Sequence, residues 1–563
     1  IQLPENAARR MLFLGSRREF SFGMGLQALG HGIFLLYFKT PFGWWRTATA
    51  TAVAQRLLRI VAIELIGMGI QRKFRVFRWI FGAVPRLSGI NWIFGAVPRL
   101  SGIKRIRKFL KPFIERAAER RFSAALEILA GYNGATLRSR SAFVPGRVLL
   151  VNSALAWGGA ERQLVNTALG LVGRGMRDVT ILCDNSAEVP DHDFFLWQLR
   201  ESSVTILDLR RDFTVGQISS RMQALAPLLR RIGRLVPSFV DDIGFYMQEL
   251  LERRPEVVHA WQDQTSVKVG LAAMLVGVPK IVLSTRNLAP YNFQYHLPYM
   301  RGAYLAILQR ENVSFLNNSR AGAADYAAWL RIPSDRCRVV YNGFDFARLE
   351  RPDHAAIGAY RRRLGLPDGV RIVGSIFRFY EEKDPLLWVR TAAGIARARP
   401  DVIFLVIGTG HMQSAMLEFA AELGIADRLF LPGTEKNIAP AYAAMDVFLL
   451  TSRFEGLPNV LIEAQALGVP VVTTDAGGCR EAVLAGQTGV IVESRDSAKL
   501  AERVLFVLDN PDWAAKARQR GPAFVRERFG LKRMIEETLD VYGMEASDRR
   551  APAPSGPGQG SGA

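Results

Sequence analysis

Cysteine is scarce in this sequence: three residues in 563, Cys183, Cys337 and Cys479, lie far apart and in no metal-ligand spacing. That excludes a disulfide framework and a structural zinc site, and fits a reducing compartment. Acidic residues are also scarce, but only in one region. Residues 1–146 hold 24 Lys and Arg against 6 Asp and Glu, a net of +18, while the rest of the chain holds 49 against 46. The total of +21 therefore describes a near-neutral body with a basic arm, not a basic enzyme or a nucleic-acid binder. Long apolar runs are wanting too. Phe20–Phe38 is nineteen residues without a formal charge, at the short limit of a membrane-spanning helix, and four glycines with Gln27 and His31 weaken it. A single transmembrane helix over 20–38 is thus the lesser expectation. No small-residue cleavage site clearly follows the run, so no cleavable signal is expected.

The arm has its own pattern. Trp79–Ile90 recurs letter for letter as Trp92–Ile103, a tandem duplication too short to build a solenoid. Lys104–Arg121 then carries Ile106, Phe109, Phe113 and Ala117 at helical spacing among eight basic residues. That combination predicts a helix lying on an anionic membrane surface, so residues 1–146 read as a basic, partly hydrophobic, membrane-associating extension. The length asks for two domains beyond it. From Arg147 short apolar runs alternate with helical stretches, the mark of α/β units with parallel strands. The pattern pauses near 350 and restarts, giving an N-terminal domain over 147–350 and a C-terminal domain over 351–546 closed by a helix near Met534–Tyr542. A Pro, Gly and Ser tail over 547–563 is expected to be disordered.

Chemistry concentrates in Ser452-Arg453-Phe454-Glu455-Gly456-Leu457-Pro458-Asn459-Val460-Leu461-Ile462-Glu463. A buried strand ends at Thr451, a loop carries Glu455 and Gly456, and Pro458 suits the first position of a helix. Two carboxylates are thereby held near a helix N-terminus, where free N–H groups attract anions and hydroxyl oxygens. Paired carboxylates also suit a glycosidase, but eight residues of helix span ~12 Å against the roughly 5–9.5 Å such enzymes use. This stretch resembles the signature of retaining family 4 glycosyltransferases of GT-B fold, two Rossmann-like domains facing a cleft, and the likeness extends from Arg147 to about Glu545. The resemblance implies that Glu455 contacts hydroxyls of the donor sugar and Glu463 the ribose, with Gly456, Leu457, Pro458 and Asn459 lining the donor site.

A second signal is Gly374-Ser375-Ile376-Phe377-Arg378 followed by Lys383-Asp384-Pro385. Asp384 is a plausible cap and Pro385 a first-turn residue, which brings Arg378 and Lys383 beside another helix N-terminus. An Arg fork and a Lys point charge both suit a diphosphate, and they match the family's diphosphate-binding pair. Gly158 and Gly159 lie between the first strand and its helix, where backbone N–H groups approach a phosphate; family likeness puts them against the donor from across the cleft. Gly408-Thr409-Gly410 lacks the last glycine of a dinucleotide fingerprint and reads as a turn, and Ala476-Gly477-Gly478 with Glu481 resembles a family loop near the donor sugar.

His259 ends a strand and is expected at the cleft as a catalytic residue beside Glu455, Arg378 and Lys383. After the next strand many relatives carry another His. Here that place reads Ser284-Thr285-Arg286-Asn287, which makes Arg286 the expected anion or acceptor contact. The resemblance implies front-face transfer with retention, no protein nucleophile, no cofactor and no metal ligand, from a nucleotide sugar, foremost a UDP-sugar. A basic arm on such a core suggests a cytoplasmic enzyme, peripheral at the inner face of the cell membrane, serving a glycan or lipid-linked acceptor in surface polysaccharide or glycolipid assembly. Two rivals share the architecture: a sugar-nucleotide epimerase, and a non-catalytic scaffold binding nucleotide sugar at a membrane.

Overall fold

The computed structural model describes residues 23–29, 33–40, 43–47, 120–129, 131, 143–184, 194–208, 225–233, 237–367 and 369–544. Two all-parallel sheets carry the body. The first contains β4 (Val144–Asn152), β5 (Val179–Cys183), β6 (Thr205–Asp208), β7 (Pro255–Trp261), β8 (Lys280–Thr285), β9 (Val313–Asn317) and β10 (Cys337–Val339), in the order β10-β9-β8-β7-β4-β5-β6. The second contains β11 (Arg371–Ile376), β12 (Val402–Ile407), β13 (Leu429–Phe430), β14 (Val447–Leu450), β15 (Val471–Thr474) and β16 (Gly489–Val492), in the order β13-β12-β11-β14-β15-β16. Every residue of β5 and β12 is buried. Helices cover both faces of such sheets, so their strands are continuous apolar runs and do not alternate. In each sheet the order reverses once, between β4 and β7 and between β11 and β14. Crevices that bind ligands form at such reversals, beyond the carboxyl ends of the strands.

The first domain recruits residues from both ends of the body. Its core reaches further back than Arg147: residues 120–129 are helical, with Ala125, Leu126 and Leu129 buried in it. Phe122 stacks on Tyr299 at 4.3 Å. The far end returns to it as well. The helix Leu531–Tyr542, expected to close the second domain, buries Met534, Ile535 and Leu539 with Val148, Leu150 and Leu164 of the first. Where the chain leaves the first sheet and comes back, two segments run side by side: the Phe344 N–H donates to the Phe529 carbonyl and the Leu531 N–H to the Phe344 carbonyl, both at 2.9 Å.

The expectation of a spanning helix over 20–38 is corrected. Gly23–Leu29 (β1) and Ile33–Thr40 (β2) pair antiparallel, and β2 pairs antiparallel with Gly43–Thr47 (β3). Glycine at 23 and 25 weakens a helix, while Ile33, Phe34, Tyr37 and Phe38 favour extended backbone. Among the described residues no helix is long and apolar enough to cross a membrane. The duplicated segment, most of Lys104–Arg121 and the 547–563 tail lie outside the described residues.

A chain beginning at residue 108 should therefore unfold cooperatively with the stability of the parent body. One beginning at 141 loses the 120–129 helix and should be less stable by at least the ~2–5 kcal/mol that one buried Leu contributes. Urea unfolding of the two truncations decides; equal midpoints would remove the helix from the core.

Candidate functional site

Opposite the carboxyl ends of both sheets lies a cleft of about 1040 Å³. Arg378, Lys383, Glu455, Gly456, Leu457, Pro458, Asn459 and Glu463 line it from the second domain, and Gly158, Gly159 and Arg286 from the first. The second-domain residues come from the loops after β11 and β14, the two strands flanking the reversal, and from the helix that follows the second loop. Asp384 caps the helix Pro385–Ala398 through the Leu387 N–H, with Pro385 at its first position. Pro458 sits one place earlier than expected, as the cap before the helix Asn459–Ala466.

Both loops are braced from behind. A Cβ on Gly408 would strike the Phe377 carbonyl oxygen, and one on Gly478 the Gly456 carbonyl oxygen. Only a residue without a side chain lets the neighbouring strand's loop approach this closely. So the Gly408 and Gly477-Gly478 turns fix the backbones that carry Arg378 and Glu455. Glu481, expected near the donor sugar, instead crosses to the first domain. Its carboxylate accepts from the Arg320 and Ala321 N–H groups at 2.8 and 2.9 Å and from the Tyr341 hydroxyl at 2.9 Å. It caps the helix Arg320–Leu330, where a negative charge is favoured.

The charges at the cleft satisfy one another. Lys383 Nζ lies 2.6 Å from Glu455 Oε1, which also accepts from Ser452 Oγ at 2.6 Å. Glu463 is 1% exposed. It accepts from Tyr442 Oη at 2.8 Å on Oε2, while Arg162 of the first domain pairs with Oε1. Asn459 Nδ2 donates to the Gly159 carbonyl at 3.2 Å, and Asn342 Nδ2 to Asn459 Oδ1 at 2.6 Å. Arg378 is held more loosely, with 52% of its side chain exposed and Glu382 at 3.7 Å. A guanidinium with so little competition is available to an anion.

His259 is the exception among the expected site residues. It is 1% exposed, does not line the cleft, and its Nδ1 lies 2.8 Å from the Tyr542 hydroxyl. Burial, then Arg286, holds its imidazole well below the usual range. The strand ends where expected, but the side chain packs against the returning C-terminal helix. Arg286 stays at the cleft, its guanidinium 3.5 Å from the centroid of the Trp261 ring and Nη1 3.3 Å from Asn342 Oδ1. Burial lowers its pKa to about 9, so it remains a cation at neutral pH. No carboxylate pairs with it among the described residues. Asp191-His192-Asp193 is an Asp-x-Asp spacing outside the described residues. Sequence reasoning missed Arg162, Asn342, Asp263 and Tyr295, all at the cleft. Only Arg162, just beyond the Gly158-Gly159 turn, had a local signal.

The comparisons agree with this geometry. Residues 157–348 match the model of Glycosyltransferase Family 4, and residues 357–524 that of Glycosyl transferases group 1. The lipopolysaccharide core biosynthesis mannosyltransferase LpsB of Rhizobium meliloti is 31% identical over 338 residues, 58% of this chain and 92% of its own length. The chain belongs to glycosyltransferase family 4. The family likeness extends to the Vi polysaccharide biosynthesis protein VipC/TviE of Salmonella typhi, 29% identical over 69% of this chain and 70% of that protein. HepE of Anabaena, solved in complex with UDP, superposes with a TM-score of 0.56 at 20% identity, covering 70% of this chain and 99% of its own. WaaG, a glycosyltransferase involved in lipopolysaccharide biosynthesis, gives 0.52 at 14% identity over 70% and 99%. The two parallel-sheet domains of this glycosyltransferase are thus a GT-B fold.

Arg162→Ala in this glycosyltransferase would strand the buried Glu463 carboxylate. It should lower stability by about 3 kcal/mol, the lower end for breaking a buried pair, because opening of the cleft can hydrate Glu463. Glu463→Gln leaves no stranded carboxylate: its oxygen can accept from Arg162 and its NH2 donate to the Tyr442 hydroxyl, so it should cost only about 1 kcal/mol. Urea denaturation measures both, and an Arg162→Ala protein as stable as its parent would show that the pair contributes nothing.

Proposed function

We propose that this family 4 enzyme is a retaining, metal-independent transferase. It moves a sugar from a UDP-sugar to a glycan or lipid-linked acceptor at a membrane, in surface polysaccharide or glycolipid assembly. The observation that carries the reading is the convergence of Arg378, Lys383 and Glu455 at the carboxyl ends of β11 and β14. A diphosphate entering there competes with Glu455 for Lys383. Glu455 is then freed to accept hydroxyl hydrogens of the donor sugar, while Glu463 sits one helix turn further in for the ribose. The amides of Gly158 and Gly159 approach from the other wall.

As the sugar–phosphate bond breaks, negative charge grows on the leaving diphosphate. Arg378, Lys383 and the nearby helix N-termini oppose it with fixed positive charge, the work a metal does elsewhere. The acceptor hydroxyl attacks from the same face, and a donor phosphate oxygen takes its proton, so no protein nucleophile is required. Solved neighbours hold UDP, UDP with glucose, or UDP-glucose, which supports a UDP-sugar donor. LpsB and VipC/TviE, named for lipopolysaccharide core and Vi polysaccharide biosynthesis, support the class of product. The +18 arm supports an anionic membrane surface as partner, since each basic residue near such a surface contributes about 1 kcal/mol.

Arg378→Ala and Lys383→Ala should each lose roughly 2–4 kcal/mol of transition-state stabilisation, the scale of one preorganised donor, with part of the loss in kcat. The parent should keep its rate in EDTA, and the product's anomeric proton coupling should match the donor's. Weaker donor binding at unchanged kcat would overturn the diphosphate role. An absolute metal requirement would overturn the electrostatic one, and donor interconversion without transfer would identify an epimerase.

A further inference from the structure

The proposed donor site draws on the first-domain wall of the cleft only through the Gly158-Gly159 turn. The same wall, beyond β7, carries a second constellation. Gln262 has φ 65° and ψ 161°, a conformation that costs a non-glycine residue roughly 1–3 kcal/mol. It is pinned there by its own N–H on the Ser284 carbonyl at 3.0 Å and by Nε2 on Glu161 Oε1 at 2.6 Å. The strained turn makes Asp263 the first residue of the helix Asp263–Val276, 7% exposed and lining the cleft. Two buried tyrosines donate to the same oxygen of Asp263: Tyr304 Oη to Oδ1 at 2.9 Å and Tyr326 Oη to Oδ1 at 2.5 Å. None of the hydrogen bonds among the described residues engages Oδ2, and no Lys or Arg pairs with the carboxylate. Burial raises its pKa to about 6 against the pull of the two hydroxyls, so at neutral pH it is an anion that can only accept.

Beside it lies an aromatic surface. Tyr295, 44% exposed, stacks on Phe293 at 5.0 Å with the rings 8° apart, and Phe293 meets the edge of Phe454 from the other domain at 5.5 Å. Enclosure in the cleft, then Asp263 and Glu382, push the Tyr295 phenol up, and Arg378 pulls the other way. Tyr295, Asp263 and Arg378 line the same cleft. A ligand for this wall needs a hydroxyl to donate to Oδ2 and a flat C–H face to lie on an exposed ring. A pyranose has both.

We infer that Asp263 and the Phe293–Tyr295 stack form the subsite for the pyranose ring of the acceptor, with Oδ2 accepting a hydrogen bond from one of its hydroxyls. This rests on the transferase reading, so the test separates the two. The full chain is loaded with UDP, and methyl glucopyranoside, methyl galactopyranoside, methyl N-acetylglucosaminide and octyl glucoside are offered in turn. Saturation-transfer NMR reports which ligand protons touch the protein. Ring protons should show transfer in the parent. Asp263→Asn should bind the same glycoside about tenfold more weakly, the loss expected for one hydrogen bond to a charged group, and Tyr295→Ala should bind it more weakly through loss of the ring face, both at unchanged UDP affinity. Tyr295 is exposed, so its variant stays informative if Asp263→Asn proves unstable. The inference is overturned if the parent binds UDP but no glycoside, if both variants bind glycosides as the parent does, or if octyl glucoside shows transfer only to its alkyl chain. A parent that does not bind UDP would overturn the transferase reading and this subsite with it.

Discussion

The ion pair between Arg162 and Glu463 joins the helix that opens after β4 to the helix that opens after β14, and the closed cleft depends on it. A carboxylate with 1% exposure costs several kcal/mol to dehydrate unless a cation and hydrogen bonds compensate it. Here the cation comes from the other domain and the second hydrogen bond from Tyr442. Bringing the domains together is what makes burial of Glu463 tolerable, and burial of Glu463 in turn fixes how the domains meet. Asn459 on Gly159 and Asn342 on Asn459 repeat the arrangement with neutral groups.

The same constraint governs Lys383 and Glu455. Each neutralises the other within one domain, so the site holds its charges in balance before any anion arrives. On the proposed donor reading, a diphosphate would displace a carboxylate from a lysine instead of filling bare positive surface. That exchange would trade one charge-assisted bond for another and keep the desolvation cost of binding low. Arg378, half-exposed and only loosely paired, is placed to make first contact.

Much of this was legible in the sequence where the signal is local. β5, β12 and β14 are apolar runs buried on both faces, β11 is buried after Arg371, and all four were readable as strands. The loops after β11 and β14 could be placed because strand, loop and helix cap follow one another within a dozen residues. β9 and β16 are harder to read: Val-Ser-Phe-Leu-Asn and Gly-Val-Ile-Val are short, and one carries two polar residues and the other opens on glycine. The helices at 120–129 and 531–542 were assigned outside the first domain. An amphipathic pattern says that a face is buried, not against what. His259 failed for a related reason, since the end of a strand is readable while the neighbour of its side chain is not. Asp263 and Tyr295 become site residues through partners tens to hundreds of positions away, and Arg162, despite its place beside the Gly158-Gly159 turn, through Glu463.

The return of the Leu531–Tyr542 helix to the first domain bears on how the chain is made. Domains generally fold as they emerge from the ribosome, the N-terminal one first. In this chain the first sheet is complete at Val339, yet the face that receives Met534, Ile535 and Leu539 stays uncovered through the synthesis of the entire second domain. The earlier-made half is thus the later-finished one. A chain cut short anywhere before the final helix carries an exposed apolar flank on the domain that was translated first.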